Sequence, residues 1–391
     1  MYVQCVENLD QLAPLSQRWD QLAGGCVFRS WTWLGTWWRH YGATPSSRSE
    51  RRLRVLLVWE GEASPNCQVS EETQPSTPSA EKLVAILPCY QESSMARGKV
   101  LRLLGDGEVC SEHLDLLVTG TNSARAVEVL AEHLGDQTRD WDLIDFPGLD
   151  VTDEYAKISK LIVALEEQGC CVSQTPDLNT WSIKLPETWK DFLAQQSKSH
   201  RKQLRRLEKR TLDSNLTVWH QVKLIEDFEP AWEIFVDLHQ RRRKSLGESG
   251  CFASPQWAEF HKDVARQLLT EGRLRMSWLE LAGQPVAAEY HFAGGRTTYA
   301  YQGGLDPDRL DEEPGRLSMI RSLQHAITEG HRTFDLLRGD EPYKAHWRAT
   351  PKETFHVQVI PSRAGAKWRY QAWNSMRGAA RWVRQVTHLF S

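Results

Sequence analysis

Residues 331–350, HRTFDLLRGDEPYKAHWRAT, contain the pattern on which the predicted fold depends. Phe334, Leu336 and Leu337 form an apolar cluster that is too short for a helix and predicts a buried strand. Gly339 follows at once and is expected to end that strand. The stretch therefore predicts a central strand of a mixed α/β sheet.

A short helix is expected directly after this strand. Pro342 suits the first position of a helix, which places Tyr343 and Lys344 on a helix that leaves the carboxyl end of the strand. Ligands bind at this end of the strands in open α/β sheets. Upstream, apolar residues recur at helical spacing from Gly315 to the expected stop at Gly330, so the pattern is strand, helix, strand, helix.

The segments FDLLRGDEPYK at 334–344 and SKSHRKQLRRL at 197–207 carry a family resemblance. They resemble the acetyltransferase domain of the GNAT superfamily in CelD-like proteins of cellulose and exopolysaccharide biosynthesis, which are similar to the FemABX peptidoglycan aminoacyltransferases. The resemblance extends to Pro361. It implies an α/β (α+β) fold with two tandem GNAT-like domains, each a mixed, mostly antiparallel sheet flanked by helices.

The order of predicted elements also indicates an internal duplication. WDLI at 141–144 stands in the first half where FDLL stands in the second, but no Tyr-Lys pair follows it. We predict a degenerate domain at 1–180, an acetyltransferase domain at 181–361 and a basic amphipathic helix at 362–391. Residues 62–80 are rich in Ser, Pro, Glu and Thr and predict a solvated loop between strands.

Composition limits the classes of function. The net charge of −3 over 391 residues gives no basic field for DNA. The eight Cys residues lack a Cys-x-x-Cys pair, and the His residues lack ligand spacing, so reduced thiols and no metal cofactor are expected. No signal peptide or membrane span is evident. These features predict a cytoplasmic protein.

The resemblance implies acetyl-CoA or another acyl-CoA as co-substrate, with its pyrophosphate at the start of the Gly315 helix. GNAT enzymes usually carry Gln or Arg, two variable residues, Gly, one variable residue, then Gly or Ala there. This chain has EEPGRL at 312–317, so Gly315 matches and Leu317 departs from the pattern. Arg316 and Ser318 are the candidates to compensate for the two acidic residues, and the alternative is a plain helix start.

Two residues are candidates for acid and base catalysis. Glu289 is expected on a central strand beside the coenzyme, and GNAT enzymes often use a Glu there as the base. His291 faces the same side of that strand and is a candidate substrate ligand. Tyr343 is the candidate acid, because many GNAT enzymes protonate the departing thiolate with a Tyr on the corresponding helix. Simple packing is the alternative for each of the three.

Other polar residues are candidates for binding the acceptor. Lys344 would hold a phosphate or carboxylate, with Asp340 beside it to orient it. Arg201 and Arg242 belong to basic helical runs, and the family tends to keep Arg at matching places. A solvated helix face is the alternative for most of these charges.

The tail from Arg363 has six basic residues and no acidic one, and its apolar residues fall on one helical face. It would lie in an anionic membrane surface at the inner face of the membrane, or dock on the protein or on a second subunit. The sequence therefore allows an oligomer. The leading function is an acyl-CoA-dependent N- or O-acyltransferase acting on a sugar or cell-envelope precursor. The alternatives are a FemABX-like transferase that uses aminoacyl-tRNA and a non-catalytic GNAT-fold scaffold.

Overall fold

The computed structural model describes residues 1–42, 49–61, 82–118, 120, 123–152 and 156–389, with side chains of the last helix as far as Met376. The predicted loop at 62–80 lies outside these residues. The chain divides into two compact units. The first unit comprises Met1–Gly24, Phe28–Asp177 and Thr354–Ser391, and the second comprises Gly25–Val27 and Leu178–Glu353.

The first half of the chain supplies most of the first unit. Its strands are β1 (Tyr2–Val6), β2 (Glu50–Leu53), β3 (Val55–Glu60), β4 (Lys82–Leu87), β5 (Cys89–Ser94), β6 (Gly98–Leu103), β7 (Leu117–Val118), β8 (Leu143–Leu149) and β9 (Cys171–Pro176). Its helices are α1 (Ser16–Ala23), α2 (Trp31–Tyr41), α3 (Ser123–Asp136) and α4 (Lys157–Glu167). Two turns of 3-10 helix precede α1.

The second unit follows. Its strands are β10 (Thr180–Lys184), β11 (Thr217–Gln221), β12 (Leu274–Leu281), β13 (Gln284–Gly294), β14 (Thr297–Leu305), β15 (Thr333–Arg338) and β16 (Thr350–Lys352). Its helices are α5 (Trp189–Gln195), α6 (Lys198–Leu207), α7 (Phe228–Ser245), α8 (Pro255–Thr270), α9 (Pro314–Thr328) and α10 (Pro342–His346). The chain ends with β17 (Phe355–Ile360) and α11 (Ala364–Leu389). Among the described helices, none has the length and apolar composition needed to cross a membrane.

The sheets are mixed and mostly antiparallel, so the predicted fold class is confirmed. The first unit has a sheet β1-β3-β4-β7 and a sheet β2-β5-β6-β8-β17-β9, and the second unit has one sheet, β11-β12-β13-β14-β15-β10-β16. Each unit contains one parallel pair, β6 with β8 and β14 with β15.

β17 lies within the predicted second domain at 181–361, but it pairs with β8 and β9 of the first unit. The second unit accordingly begins at Leu178, close to the predicted residue 181, and ends at Glu353 rather than at residue 361. β10 pairs with β15 and β16 of the second unit. A sequence of alternating apolar residues predicts a strand without identifying its partner, because pairing partners are distant along the chain.

α9 forms where the sequence predicts it. Pro314 occupies the first position of the helix, and the buried residues Leu317, Ile320 and Leu323 pack into the core of the second unit. Gly330 has a φ of 78° and its N–H donates to the carbonyl of Ile327, as expected at a helix stop. α9 therefore covers one face of the sheet and presents its amino end beside β14.

Candidate active site

The site lies where β14 and β15 diverge. The two strands pair at three positions, Thr297 with Thr333, Thr298 with Phe334 and Tyr299 with Asp335. Beyond these positions β14 continues to Leu305 and β15 to Arg338, so the facing backbone edges separate. Unpaired strand edges can bind an extended ligand by main-chain hydrogen bonds. The divergence creates a cleft at the carboxyl end of β15.

Glu289 on β13 faces the α9 side of the sheet. Its Oε1 accepts a 2.5 Å hydrogen bond from Ser318 Oγ of α9, and its Oε2 lies 3.0 Å from His291 Nε2. The next residue, Tyr290, points to the opposite face and packs on Trp232 of α7. The carboxylate is therefore fixed by two polar partners, and 16% of its side chain remains exposed.

Gly303 on β14 provides the space that this carboxylate occupies. Glu289 and Gly303 are paired residues of β13 and β14. A Cβ atom at residue 303 would lie 2.9 Å from Glu289 Oε2, which is closer than such contacts allow. The glycine thus keeps the carboxylate over the strand that borders the cleft.

Tyr343 lies on α10, the short helix after β15, and 49% of the residue is exposed. Partial burial raises the pKa of Tyr343 above the ordinary value for a phenol, and the negative charges of Glu341 and Glu289 raise this pKa further. The carboxylate of Glu289 thus acts on the phenol of Tyr343 electrostatically, and the phenol stays protonated.

His291 connects Glu289 to a cavity. The imidazole is 5% exposed and lines a cavity of about 230 Å³ between the sheet and the carboxyl half of α9. Polar side chains on the walls include Ser277, Ser322 and His325. A polar cavity of this size is large enough for water. The geometry places His291 as a support for Glu289 rather than at the mouth of the cleft.

The amino end of α9 differs from the expected phosphate cradle. The N–H groups of Arg316 and Leu317 both donate to the carbonyl of Glu313. The Leu317 side chain is fully buried in the core, and the Ser318 hydroxyl is bound to Glu289. Gly315 allows close packing on Leu305, whose Cδ1 would lie 3.2 Å from an added Cβ.

The acidic residues of this loop are neutralised by arginines. Arg316 forms an ion pair with Glu313, and Arg309 forms an ion pair of 2.7 Å with Glu312. The two acids therefore do not stand as free charges against a phosphate. Arg316 is correspondingly less available to a ligand than the sequence predicts.

Lys344 is not placed to bind a substrate. Its side chain is 1% exposed, and Nζ donates to the carbonyls of Leu337 (3.1 Å), Arg338 (2.7 Å) and Gly339 (3.0 Å). Nζ also forms an ion pair with Glu341 at 3.0 Å. Its three donors are engaged, so the ammonium stabilises the end of β15 and the turn that follows.

Asp340 also has a structural role. Its Oδ1 accepts hydrogen bonds from Asn179 Nδ2 and Trp181 Nε1, both at 2.9 Å. These two bonds lower the pKa of Asp340 and attach the turn after β15 to β10. Asp335 on β15 accepts a 2.8 Å bond from the N–H of Leu337.

Arg201 and Arg242 are not brought together. Arg201 lies on α6, which packs with α9, whereas Arg242 lies near the end of α7 on the opposite face of the sheet. Neither guanidinium has a hydrogen bond or ion pair with any residue that the structure describes. They do not form one clamp.

Three residues near the cleft, His200, His346 and Arg348, were not identified as candidates from the sequence. His200 is buried in the first turn of α6, its ring lies 4.2 Å from the ring of His346, and the charge of Arg348 acts on it. The signal available in the sequence is the His in the first turn of a basic helix.

Within the described residues, no group of three or more His, Cys, Asp or Glu is placed to hold a metal ion.

Comparisons agree with this architecture. Residues 196–345 match the model of a family described as an acetyltransferase (GNAT) domain. The crystal structure of FemX is similar in fold, with a TM-score of 0.60 and 10% identity over 93% of this chain and 98% of that one. A conserved protein of unknown function from Bacteroides thetaiotaomicron gives a TM-score of 0.52 and 11% identity over 92% of this chain and 99% of that one. No curated protein matches the sequence.

The matched segment contains α6 through most of α10, and so both sides of the cleft. Residues 196–345 thus form a GNAT-type acetyltransferase domain. The protein is an acyltransferase.

Proposed function

We propose that the protein transfers an acyl group from acyl-CoA to an amine or hydroxyl of a sugar or cell-envelope precursor, with Glu289 as base and Tyr343 as acid. The observation that carries this proposal is the placement of Glu289 on β13, next to β14, and of Tyr343 on the helix that follows β15, with the charge of Glu289 acting on the phenol. A carboxylate that can accept a proton and a phenol that keeps one are the pair that acyl transfer needs.

The steps follow from the positions of the two groups. The acceptor loses a proton to the Glu289 carboxylate as its nitrogen or oxygen attacks the thioester carbonyl. The carbon–sulfur bond of the resulting tetrahedral intermediate then breaks. Tyr343 gives its proton to the departing thiolate. Glu289 then releases its proton to solvent, and the half-exposed phenolate of Tyr343 regains one from solvent.

The charge on Glu289 couples these steps. While Glu289 is ionised, its negative charge helps to keep the pKa of Tyr343 raised. Once Glu289 has accepted the proton of the acceptor, that repulsion disappears and Tyr343 becomes a stronger acid. The acid is therefore strengthened at the stage at which the thiolate forms.

The open edge of β14 supports an extended thioester donor. Main-chain groups beyond Tyr299 are not paired with β15, and a pantetheine-like chain has amides that can pair with them. In the described part of the first unit, the parallel pair β6 and β8 is not followed by an equivalent opening, because Arg102 and Asp145 form a 3.0 Å ion pair directly after its two paired positions. Catalysis is accordingly assigned to the second unit.

The acceptor class rests on the resemblance to CelD-like proteins, and so does a place at the inner face of a membrane. α11 supports peripheral contact, since Trp368 and Met376 are 74% and 58% exposed on it. A basic helix with exposed apolar residues suits an anionic surface.

The test combines binding with turnover. Calorimetric titration with acetyl-CoA and with free CoA should show saturable binding, and release of free thiol with amino-sugar or hydroxyl acceptors should follow transfer. Glu289→Gln and Tyr343→Phe should each lower kcat by about 100-fold. The matched controls Glu280→Gln, on neighbouring β12, and Tyr370→Phe, on α11, should retain activity. Full activity of both site variants would remove this mechanism.

A second candidate donor, aminoacyl-tRNA, is favoured by one observation. The basic side chains of α6 and the π-helical turn after it have no ion-pair partner in the described chain: Arg201, Lys202, Arg205, Arg206, Lys209 and Arg210. Unpaired cations of this density suit a nucleic-acid backbone. Binding to tRNA that weakens steeply with salt, together with no binding of acetyl-CoA, would select this donor.

A further inference from the structure

His200 has an unsatisfied buried nitrogen. The residue is 6% exposed, and Nε2 has no hydrogen-bond partner within the described chain. A buried polar atom without a partner is costly, so native structures keep few of them, often where a ligand or an ion binds. His200 therefore marks a place in the second unit where a partner is missing.

The surroundings of His200 are positively charged. Its ring lies 4.2 Å from the ring of His346 and 5.3 Å from that of Trp347. Burial, followed by the charges of His346, Arg316 and Arg348, lowers the pKa of His200 to about 4. The imidazole is neutral at pH 7 and lies near the guanidinium groups of Arg348 and of Arg316, the latter paired with Glu313, and this is an environment that an anion would stabilise.

The amino end of α6 lies at this place. His200 is in the first turn of α6, and the charge of Arg316, near the amino end of α9, acts on its imidazole. The positive end of the α6 dipole therefore adds to the charge of the arginines at His200.

The free donors lie on α6 rather than on α9. The amides of Arg316 and Leu317 are used by the carbonyl of Glu313. The amides of Lys198 and Ser199 in the first turn of α6 precede the first intrahelical bond, which Arg201 N–H makes to the Ser197 carbonyl. An anion is thus better received beside α6.

Arg348 is held in a conformation that is unfavourable for its residue type. Its φ is 60°, in the left-handed region that glycine prefers. Its guanidinium has no hydrogen bond or ion pair with a described residue. An unpaired arginine at a strained position beside a binding cleft is consistent with a functional side chain.

We infer that His200, Arg348 and the amino end of α6 form a pocket for a phosphate group of one of the two substrates. The inference rests on the proposed acyl transfer for the identity of those substrates. The phosphate is either that of the acyl donor or that of a phosphorylated acceptor, such as a sugar nucleotide. Phosphate fits because it accepts bonds from amide, imidazole and guanidinium donors together.

Inorganic pyrophosphate is the probe for this pocket. Calorimetric titration of the full chain should show one saturable site. Arg348→Gly should weaken binding about tenfold, the loss of one charge-assisted bond, while its melting temperature stays the same or rises because glycine relieves the strained backbone. His200→Phe should weaken binding similarly. Arg210→Ala, an exposed arginine at the far end of the same basic segment, is the matched control and should bind like the wild type.

The opposite results would overturn the inference. These are no saturable binding of pyrophosphate, unchanged binding in both site variants, or an equal loss in Arg210→Ala, which would indicate a diffuse basic surface. Pyrophosphate binding is measured without turnover, so a failed acyl-transfer assay leaves this result intact.

Competition identifies the source of the phosphate. Displacement of pyrophosphate by coenzyme A, but not by a uridine diphosphate sugar, would assign the pocket to the acyl donor. The reverse order would assign it to the acceptor. If neither ligand displaced pyrophosphate, the pocket would not serve the reaction, and the inference would fail.

Discussion

Ser318 Oγ donates a 2.5 Å hydrogen bond to Oε1 of Glu289, so the first turn of α9 holds the candidate base. The other carboxylate oxygen lies 3.0 Å from His291 Nε2. These two contacts fix the side chain of Glu289 beside the cleft. They also give the helix start a role other than the expected binding of phosphate.

Replacement of Ser318 by Ala should lower kcat about tenfold and leave the KM for the acyl donor unchanged, because the base loses one of its two anchors. Steady-state kinetics with varied donor will measure both constants. Ser322→Ala, one helical turn further along, is the control. An increase in the donor KM at constant kcat would instead show that Ser318 binds the donor.

Adjacent glycines of β14 should respond differently to the same change. In Gly303→Ala the new methyl group meets Oε2 of Glu289 at 2.9 Å, so the carboxylate must move. We expect a loss of activity of about 100-fold with little loss of stability, since a displacement of about 1 Å in an active site has this effect. Activity and thermal melting of one preparation test both parts.

Gly304→Ala is the complementary case. The added Cβ would lie 2.5 Å from the backbone nitrogen of His239, so α7 itself must shift. Overpacking against backbone should lower the free energy of unfolding by about 3 kcal/mol. A variant at residue 304 that melts like the wild type, or one at residue 303 with full activity, would contradict the packing described for this strand.

Lys344→Met should destabilise the protein rather than change substrate affinity. The methionine leaves the carbonyls of Leu337, Arg338 and Gly339 without their buried donor. The expected loss is about 3 kcal/mol in the free energy of unfolding. Urea denaturation measures it, and Lys202→Met on the exposed face of α6 is the control. A stable variant with a raised acceptor KM would restore Lys344 as a substrate ligand.

The helices and strands around the cleft could be predicted from local sequence patterns, because the residues that define each element lie close together in the chain. Pro314 and Gly330 mark the ends of α9, and the apolar cluster after Thr333 marks β15. The burial of Lys344 has no such signal. Charged residues are rarely buried, and the three carbonyls that receive its ammonium depend on the left-handed conformation of Leu337, whose φ is 57°.

The pairing partners of the strands could not be predicted from the sequence for a related reason. The apolar residues of β17 predict a buried strand equally well in either unit, because periodicity describes one strand at a time. The same holds for His200. Its place in a basic helix indicates a solvated face, and its burial depends on contacts with His346 and Trp347, distant in sequence.

The pairing of β17 with strands of the first unit predicts which strands a substitution in β17 destabilises. Val357 on β17 is fully buried between β8 and β9, so Val357→Asp should lower hydrogen-exchange protection in those two strands of the first unit. Ile183→Asp on β10 is the mirror experiment and should affect β15 and β16. If Val357→Asp lowered protection in β15 and β16 instead, each domain would be formed by continuous sequence.

The buried imidazole of His200 should give the second unit a measurable pH dependence. Its pKa is about 4 in the folded state and about 6.5 in an unfolded chain. Between these values the unfolded chain binds more protons, so stability is fully present above about pH 6.5 and falls as the pH approaches 4. The contribution of this group is at most about 3 kcal/mol.

Removal of the imidazole should therefore flatten the pH profile of stability. The groups that face His200 are His346, Arg316 and Arg348, and none of them is changed in His200→Gln. The free energy of unfolding should fall less between about pH 7.5 and about pH 5 in this variant than in the wild type. His40→Gln, at a partly exposed histidine of α2, is the control. Equal slopes for all three proteins, or an NMR titration of His200 near 6.5, would contradict its burial among cations.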